Sequence, residues 1–301
     1  MQISIILINF NSSEYTINCV KSIIEVISED LVYEIIIIDN SSNENELLYL
    51  KKELKKVTFS NLTLIESNEN LGFAGGNMLG VKSAKGKYFV FVNNDTLFYE
   101  DSFSLLNTYM ENTPSAAVST CLSKNKEGQD FCSFDHFIGL RKLIFGRWVL
   151  ELIFNKPKRK NRIYDSPIEV DAVQGCFMFF RKDIFLEVGG FDTNLFLYYE
   201  EIDICKRIKD KSYKSIYYPN TFFTHFQGVS TKNSLSKKGE ILISFLYILK
   251  KDFGTCRYNI ISFYLFIKYF LKSVFISKYK ILVKIICSKD KFKYSLRNQN
   301  K

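Results

Sequence analysis

Two aspartates stand directly after apolar, strand-like runs of the sequence. Asp39 closes a run of four isoleucines, and Asp95 follows the run Tyr88–Val92 and two asparagines. The Asp39 carboxylate could accept hydrogen bonds from a nucleobase or a ribose, whereas an aspartate in an Asn-flanked turn suits a hard divalent cation, which prefers oxygen ligands. Ordinary turn capping uses the same residue types, so both interpretations remain open at this point.

A third group of acids follows an aromatic and apolar run near residue 200. It consists of Glu200, Glu201 and Asp203. Acids in the first turn of a helix are ordinarily explained by the helix dipole. Crowding like charges beside aromatic surface also raises the proton affinity of one carboxylate toward that of a general base. The segment therefore predicts either a plain helix start or a proton-accepting group.

A glycine-rich segment, Asn70–Asn77, opens a helical pattern. Glycines let backbone amides approach phosphate or sugar oxygens closely, and the N-terminus of a helix favours anions. The segment matches neither the dinucleotide-binding fingerprint nor the P-loop. Taken alone, it is as compatible with an ordinary loop as with a ligand-binding one.

The elements around these residues alternate between strands and helices. β-branched runs separated by helical patterns predict a parallel sheet covered on both faces. The predicted strands are Ile3–Ile8, Glu34–Asp39, Leu62–Glu66 and Tyr88–Val92, and the predicted helices begin near Ser12, Asn45 and Gly75. Asp39 and Asp95 then lie at the carboxyl ends of their strands, which is the edge where open α/β sheets bind ligands.

The second half of the chain is less regular. Between about Cys121 and Tyr164 the periodicity is lost and the charge rises, which predicts a variable surface insertion. The segment Ile168–Arg181 indicates a strand pair around Gly175. It is followed by a short helix and by a helix from about residue 200. From Ser236 onward the pattern is helical only.

Eight segments, taken together in their order and spacing, indicate a protein family more specifically than any one of them does alone. They are Ser4–Asn11, Ile38–Ser42, Asn70–Asn77, Asn93–Thr96, Gly175–Met178, Gly189–Asp192, Tyr198–Asp203 and His225–Ser230. Together they resemble family 2 of the glycosyltransferases, and within it the bacterial rhamnosyltransferase-like branch, over about Gln2–Thr231. The resemblance implies an inverting enzyme with an α/β fold of the GT-A type. This fold has a Rossmann-like, mostly parallel central sheet with helices on both faces, and here a C-terminal helical region follows it.

The resemblance also implies a function for individual residues. Glu201 would be the general base, and Asp95 would hold Mg²⁺ or Mn²⁺ on the donor diphosphate with help from His225, although a lone histidine is more typical of a core. The residues implied to bind the nucleotide sugar are Asn9, Asp39, Asn70, Gly72, Gly76, Asn77 and Asn94. The implied reaction transfers a hexose to a hydroxyl of a lipid-linked or growing surface polysaccharide. The leading donor is dTDP-rhamnose, followed by UDP-hexoses.

Three positions depart from the family pattern. Asn93 replaces the first acid of the usual Asp-x-Asp metal motif, which leaves Asp95 as the ligand. Glu201 stands where an aspartate is usual, and Met78 where a second asparagine is common. These departures leave a catalytically silent scaffold for glycan assembly as an alternative function.

The composition and the net charge limit the class of protein and the kind of binding partner that fit this chain. Hydrophobic residues make up 47% of the chain and aromatic residues 16%, which excludes a disordered protein. The net charge of +9 predicts an anionic partner such as nucleic acid, an anionic membrane surface or a phosphorylated substrate. A nucleic-acid-binding protein would use the basic segment Lys156–Arg162. Because the chain has no recognisable nucleic-acid-binding module, we predict no nucleic-acid partner.

The C-terminal region interleaves aromatic and aliphatic residues with lysines between Asn259 and Lys293. Lys268/Lys272 and Lys280/Lys284 fall at the i,i+4 spacing of a helix. Basic amphipathic helices of this kind lie in anionic membrane interfaces, which is the interpretation that we favour over packing on the catalytic domain. No charge-free apolar stretch reaches the roughly 20 residues that span a bilayer.

The expected domain organisation and location follow from these patterns. We predict a catalytic domain over residues 1–235, with a nucleotide-sugar half of about 1–120 and an acceptor half of about 121–235, and a helical region over 236–301. Seven scattered cysteines indicate reduced thiols, and the N-terminal segment lacks the features of a signal peptide. The predicted location is therefore cytoplasmic, on the inner face of the cell membrane.

Overall fold

The computed structural model describes residues 1–137, 151–152, 156–159, 164–226 and 235–298. The strands are β1 (Ile3–Asn9), β2 (Tyr33–Asp39), β3 (Leu62–Glu66), β4 (Tyr88–Asn93), β5 (Thr96–Leu97), β6 (Ala116–Lys124), β7 (Asp130–Phe131), β8 (Phe134–Asp135), β9 (Ile168–Val170), β10 (Ala172–Val173), β11 (Phe177–Arg181) and β12 (Lys214–His225). The α-helices are α1 (Ser13–Val26), α2 (Glu44–Leu54), α3 (Gly72–Val81), α4 (Ser102–Asn112), α5 (Lys182–Glu187), α6 (Glu200–Asp210), α7 (Leu235–Phe253), α8 (Thr255–Phe275) and α9 (Lys280–Cys287). Short 3₁₀ turns follow α8 and α9.

The first half of the central sheet is parallel, in the order β3-β2-β1-β4. Every residue of β2 is buried, which its isoleucine run predicts because a parallel strand is covered on both faces. In register, Asn9 pairs with Asp39 and Ile8 pairs with Asn93. The carboxyl ends of three strands therefore meet at one edge, as the sequence predicts.

The second half of the sheet is mixed, and two sequence predictions fail there. The segment Ile168–Arg181 holds three strands that do not form the predicted pair: β9 pairs with β12, β10 with β8, and β11 lies antiparallel between β4 and β6. Cys121, where the surface insertion was expected to begin, is fully buried in β6. Residues 138–150, 153–155 and 160–163 of that predicted insertion lie outside the described part of the chain.

Alternate strand residues build one core on each face of the sheet. One of these cores is strongly aromatic. The ring of Phe91 lies 5.7, 5.2 and 4.8 Å from the rings of Phe180, Phe185 and Phe191, and the first and last of these contacts are edge-to-face. This packing fixes the end of β4 against β11.

The C-terminal helices pack on the aromatic core rather than standing apart from it. Leu242 and Ile243 of α7, Ile261 of α8 and Leu282 of α9 are buried in the same cluster as the sheet residues. Packing on the catalytic region, the interpretation that the sequence favoured less, therefore accounts for α7 and for the inner faces of α8 and α9. Among the helices in the described residues, none has both the length and the hydropathy to cross a bilayer.

Candidate active site

A network of side chains joins the ends of β1, β2 and β4. The Asn9 amide donates to Asp39 Oδ1 over 2.8 Å, and Asn9 Oδ1 accepts from the Thr16 hydroxyl over 2.8 Å. The Asn94 amide in turn donates to the Thr16 hydroxyl over 2.8 Å. Asn9, Asp39 and Asn94, all predicted from the sequence, are thus brought together at the ligand-binding edge.

Asp39 is nearly inaccessible to solvent. Its Oδ1 receives the Asn9 amide, and its Oδ2 accepts the backbone N–H of Ser42 over 3.0 Å. The carboxylate therefore caps the turn after β2, the alternative that the sequence left open. Its predicted contact with a nucleobase stays a prediction.

The glycine-rich loop docks on the segment that leads into α6. Asn70 Oδ1 accepts the backbone N–H of Gly72 over 2.9 Å, and the Phe73 N–H donates to the carbonyl of Phe196 over 2.8 Å. Gly72 has φ +69°, and a Cβ at this position would collide with that same carbonyl. Gly72 is therefore required by backbone geometry, and α3 begins there, three residues earlier than the predicted start at Gly75.

Gly76 and Asn77 lie in the first turns of α3 and have packing contacts. A Cβ on Gly76 would meet Ile8 Cδ1 at 2.8 Å, so this glycine lets the helix approach β1 closely. The buried Asn77 amide donates to the carbonyl of Phe73 in its own helix over 3.0 Å. Both contacts explain these residues without a ligand, and their predicted part in sugar binding stays a prediction.

Asp95 and His225 face one another across the pairing of β5 with β12. Nε2 of His225 lies 3.1 Å from Asp95 Oδ1, and the Phe226 N–H donates to the Asp95 carbonyl over 3.0 Å. Burial by itself lowers the pKa of His225, but the neighbouring Cys176 and the hydrogen bond to Asp95 raise it to about 10. The protonated His225 side chain is therefore paired with the Asp95 carboxylate.

The chemistry of this pair fits a divalent cation shared with a donor. A carboxylate and an imidazole that converge within hydrogen-bonding distance are both metal ligands, and Mg²⁺ commonly takes only one or two carboxylates plus substrate phosphates and water. The described residues contain no cluster of three or more His, Cys, Asp or Glu side chains that could enclose an ion. Asp95 and His225 could supply two ligands of such a cation, and their predicted part in metal binding stays a prediction.

Glu201 and Glu200 open α6 in different environments. The preceding Tyr198 and Tyr199 both have φ +74°, which is a strained conformation for bulky residues and is often found at functional sites. Glu200 is fully buried, and its burial, together with the negative charge of Glu201, raises its pKa well above the usual range. Burial therefore favours the neutral form of the Glu200 carboxyl group, whereas Glu201 is only partly buried.

The residues just before β11 lie between Glu201 and the end of β4. Its Oε2 lies 4.0 Å from the position that a Cβ on Gly175 would occupy. The next residue, Cys176, accepts the backbone N–H of Asn93 over 2.9 Å, and its thiol lies beside His225. A single stretch of backbone, Gly175–Cys176, therefore connects the predicted base with the predicted metal site.

Ion pairs that no sequence pattern predicts anchor α6 on the side of the C-terminal helices. Asp203, with no exposed side-chain surface, is bound by Arg207 of its own helix and by Lys251 of α7. Lys251 also binds Asp192 over 2.7 Å. Although burial raises the pKa of Asp192, hydrogen bonds from Lys251, Asn194 and Tyr247 lower it to about 2. The C-terminal helices therefore fix the helix that carries Glu201, a relation between segments that no local pattern encodes.

We expect Lys251→Met to lower the free energy of unfolding by about 1–3 kcal/mol, since it leaves a buried carboxylate with one cation instead of two. It should also lower turnover, because α6 loses an ion pair that anchors it to α7. Denaturant unfolding and steady-state kinetics measure the two effects. Lys250→Met is the matched control, because Lys250 is exposed and contacts the Tyr258 ring instead. Equal behaviour of the two variants would contradict an anchoring role for Lys251.

Part of the basic segment Lys156–Arg162 lies among carboxylates. Lys156 binds Asp171 over 2.8 Å, and Arg159 lies 3.4 Å from Asp135. Residues 160–162 are outside the described part of the chain. The ion pairs give the first half of the segment a structural role, and the absence of a nucleic-acid partner stays a prediction.

Comparison with known families identifies the class of protein. The model of the family described as glycosyl transferase family 2 matches residues 4–189. The chain belongs to glycosyl transferase family 2. The match stops before α6, so Glu201 and His225 lie beyond it.

Curated relatives of this family 2 glycosyltransferase include rhamnosyltransferases. Rhamnosyltransferase WbbL of Escherichia coli K12 is 26% identical over 261 residues, which is 82% of this chain and 92% of WbbL. N-acetylglucosaminyl-diphospho-decaprenol L-rhamnosyltransferase of Mycobacterium tuberculosis is 32% identical over 73 residues, 24% of each chain. Poly(ribitol-phosphate) beta-glucosyltransferase of Bacillus spizizenii is 30% identical over 169 residues, 56% of this chain and 23% of that protein. The chain is a glycosyltransferase that spans most of WbbL but about a quarter of the other two.

Solved structures show that the fold is of the GT-A type. GalNAc-T7 with UDP, GalNAc and Mn²⁺ matches with a TM-score of 0.60 and 14% identity, over 81% of this chain and 47% of that one. Mannosyltransferase PcManGT from Pyrobaculum calidifontis, in complex with GDP-Man and Mn²⁺, matches with a TM-score of 0.57 and 17% identity, over 83% of this chain and 63% of that one. At these identities the likeness establishes the fold alone.

Proposed function

We propose that this glycosyltransferase moves one hexose from a nucleotide-sugar donor to a hydroxyl of a lipid-linked or growing surface polysaccharide, with inversion at the anomeric carbon. The observation that carries the proposal is the pair of acids at the start of α6. Glu200 is buried beside a partly exposed Glu201, and Gly175–Cys176 connects Glu201 with Asp95 and His225. Of these two carboxyl groups Glu201 is the better proton acceptor, because burial favours the neutral form of Glu200.

In the proposed reaction Glu201 removes the proton from the acceptor hydroxyl. The acceptor oxygen then forms a bond to the anomeric carbon while the bond to the nucleoside diphosphate breaks on the opposite face. Asp95 and His225 would hold Mg²⁺ or Mn²⁺, which, when bound, neutralises charge on the departing diphosphate. Asn9, Asn94 and the loop that begins at Asn70 would line the donor pocket.

The donor that we propose first is dTDP-rhamnose, because two of the relatives above are named rhamnosyltransferases. UDP-hexoses come second, since the Bacillus relative is named a glucosyltransferase rather than a rhamnosyltransferase. The name of the mycobacterial relative includes a diphospho-decaprenol, which supports a lipid-linked acceptor here. Such an acceptor would place the chain on the cytoplasmic face of the cell membrane.

A transfer assay tests this function directly. The protein is incubated with a simple acceptor that has a free sugar hydroxyl. The donor is either dTDP-rhamnose or a UDP-hexose, and Mg²⁺, Mn²⁺ or a chelator is present. We expect metal-dependent release of the nucleoside diphosphate together with a product one sugar heavier by mass spectrometry. Thermal stabilisation by nucleoside diphosphates without transfer or hydrolysis for any donor would favour the silent scaffold instead.

A further inference from the structure

The helix α8 exposes a continuous stripe of large apolar side chains. Phe275 is 87% exposed, Phe263 and Val274 are each 66% exposed, and Leu271 is 56% exposed. The stripe, called here the α8 stripe, consists of Ile260, Phe263, Ile267, Phe270, Leu271, Val274 and Phe275. Because these positions recur at three- and four-residue spacing, they lie along one side of the helix.

The opposite side of α8 already has its packing partner. Ile261 and Leu265 are buried in the aromatic core, and Ser273 is buried with its hydroxyl on the carbonyl of Phe270. The orientation of the helix is therefore set by its inner face. The α8 stripe is a second apolar surface, which points away from the rest of the described chain.

The charges of α8 and of the residues that follow it have one sign. The sequence from Gly254 to Ser288 contains no Asp or Glu, and its cationic residues are Arg257, Lys268, Lys272, Lys278, Lys280 and Lys284. Lys268 and Lys272 follow Ile267 and Leu271 by one residue each, so both lie along one border of the stripe. Both are exposed, and Lys268 lies over the Tyr264 ring at 5.9 Å. Long lysine stems can lie along apolar surface while the ammonium group stays in water.

We infer that the α8 stripe inserts into the interface of an anionic lipid bilayer, with Lys268 and Lys272 at the level of the headgroups. An exposed apolar helix face bordered by cations is the form that interfacial helices take, and anionic lipid complements its charge. A second copy of the chain would fit less well, because two α8 helices would bring the same uncompensated cations together. The inference depends on neither the donor nor the reaction proposed above.

The membrane contact has a consequence for the orientation of the enzyme. α8 packs on α7, and Lys251 of α7 binds Asp203 of α6, the helix that begins with Glu200 and Glu201. A bilayer bound to the α8 stripe therefore holds the helix of the proposed base at a fixed distance. Such an arrangement suits an acceptor whose sugar chain is attached to lipid.

Flotation of full-length protein with vesicles tests the inference. We compare vesicles of phosphatidylcholine alone with vesicles that also contain phosphatidylglycerol. The triple variant Phe263→Ser/Phe270→Ser/Phe275→Ser should bind anionic vesicles at least about tenfold more weakly than the unsubstituted chain. The variant Lys268→Glu/Lys272→Glu should lose the preference for anionic vesicles. The matched control, Val32→Ser/Leu48→Ser/Leu105→Ser, replaces three exposed apolar residues of the α/β region outside α8. It should bind anionic vesicles as well as the unsubstituted chain does.

Two results of these experiments would contradict the membrane contact. Equal vesicle binding by the α8 triple variant and the control would overturn it. So would light scattering that shows a dimer in the unsubstituted chain, a monomer in the α8 variant and no vesicle binding by either. Because the substituted residues are exposed, unchanged thermal unfolding is expected, and transfer to a water-soluble acceptor should continue in the α8 variant. Failure of the transfer assay alone would leave the membrane contact standing.

Discussion

Glu201→Gln lowers turnover by about 100- to 10,000-fold, the usual contribution of a general base, while the donor still binds. The amide has the size of the carboxylate but cannot accept the proton of the acceptor hydroxyl. Glu201 is partly buried at the start of α6, so the exchange should leave the fold intact. Steady-state kinetics with saturating donor and acceptor, together with calorimetric titration of the nucleoside diphosphate, separate turnover from binding.

Glu200→Gln is the matched comparison for this variant. Burial raises the pKa of Glu200 and so favours its neutral form, and a glutamine there is a neutral side chain of the same shape. We expect turnover within about tenfold of the unsubstituted enzyme. A loss as large as that of Glu201→Gln would mean that the two carboxyl groups share the proton, and the assignment of the base to Glu201 would be wrong.

Asp95→Asn should weaken metal-dependent binding of the nucleoside diphosphate by at least about 100-fold, because it removes the negative charge that the cation needs. The backbone carbonyl of Asp95 still accepts the Phe226 N–H, so the pairing of β5 with β12 is kept. Calorimetric titration of the nucleoside diphosphate with Mn²⁺, and again with a chelator, measures the difference.

The control for Asp95 is another aspartate with a purely structural contact. Asp101 caps α4 through the backbone N–H of Ser104, and asparagine serves equally well as an N-cap. Asp101→Asn should therefore bind nucleotide and metal normally. If Asp95→Asn retains the full effect of Mn²⁺ on nucleotide affinity, the metal site lies elsewhere.

The parallel half of the fold could be predicted because its signals are local. The isoleucine runs of β1 and β2 are too apolar for any position other than a doubly covered strand, and the asparagines and aspartates after them mark where the strands end. β12 was missed because Pro219 and Asn220 interrupt its pattern. The structure accommodates them with a register shift between Tyr218 and Phe222.

The candidate site was predictable in its members but not in their contacts. Asp39 and Gly72 were both predicted to contact the ligand. In the structure Asp39 caps a turn, and Gly72 is required because a Cβ there would collide with the Phe196 carbonyl. A sequence shows which residue types stand at a strand end but not whether their oxygens are already engaged. The anchoring of Asp203 by Lys251 joins residues 48 positions apart, so no periodic pattern could show it.

The ion pair between Asp203 and Lys251 limits which chimeras can be built between this enzyme and its relatives. A chimera that takes its catalytic core from this chain and its C-terminal helices from a relative must supply a cation at the position of Lys251. Without it, the helix of Glu201 would rest on a buried carboxylate held by Arg207 alone.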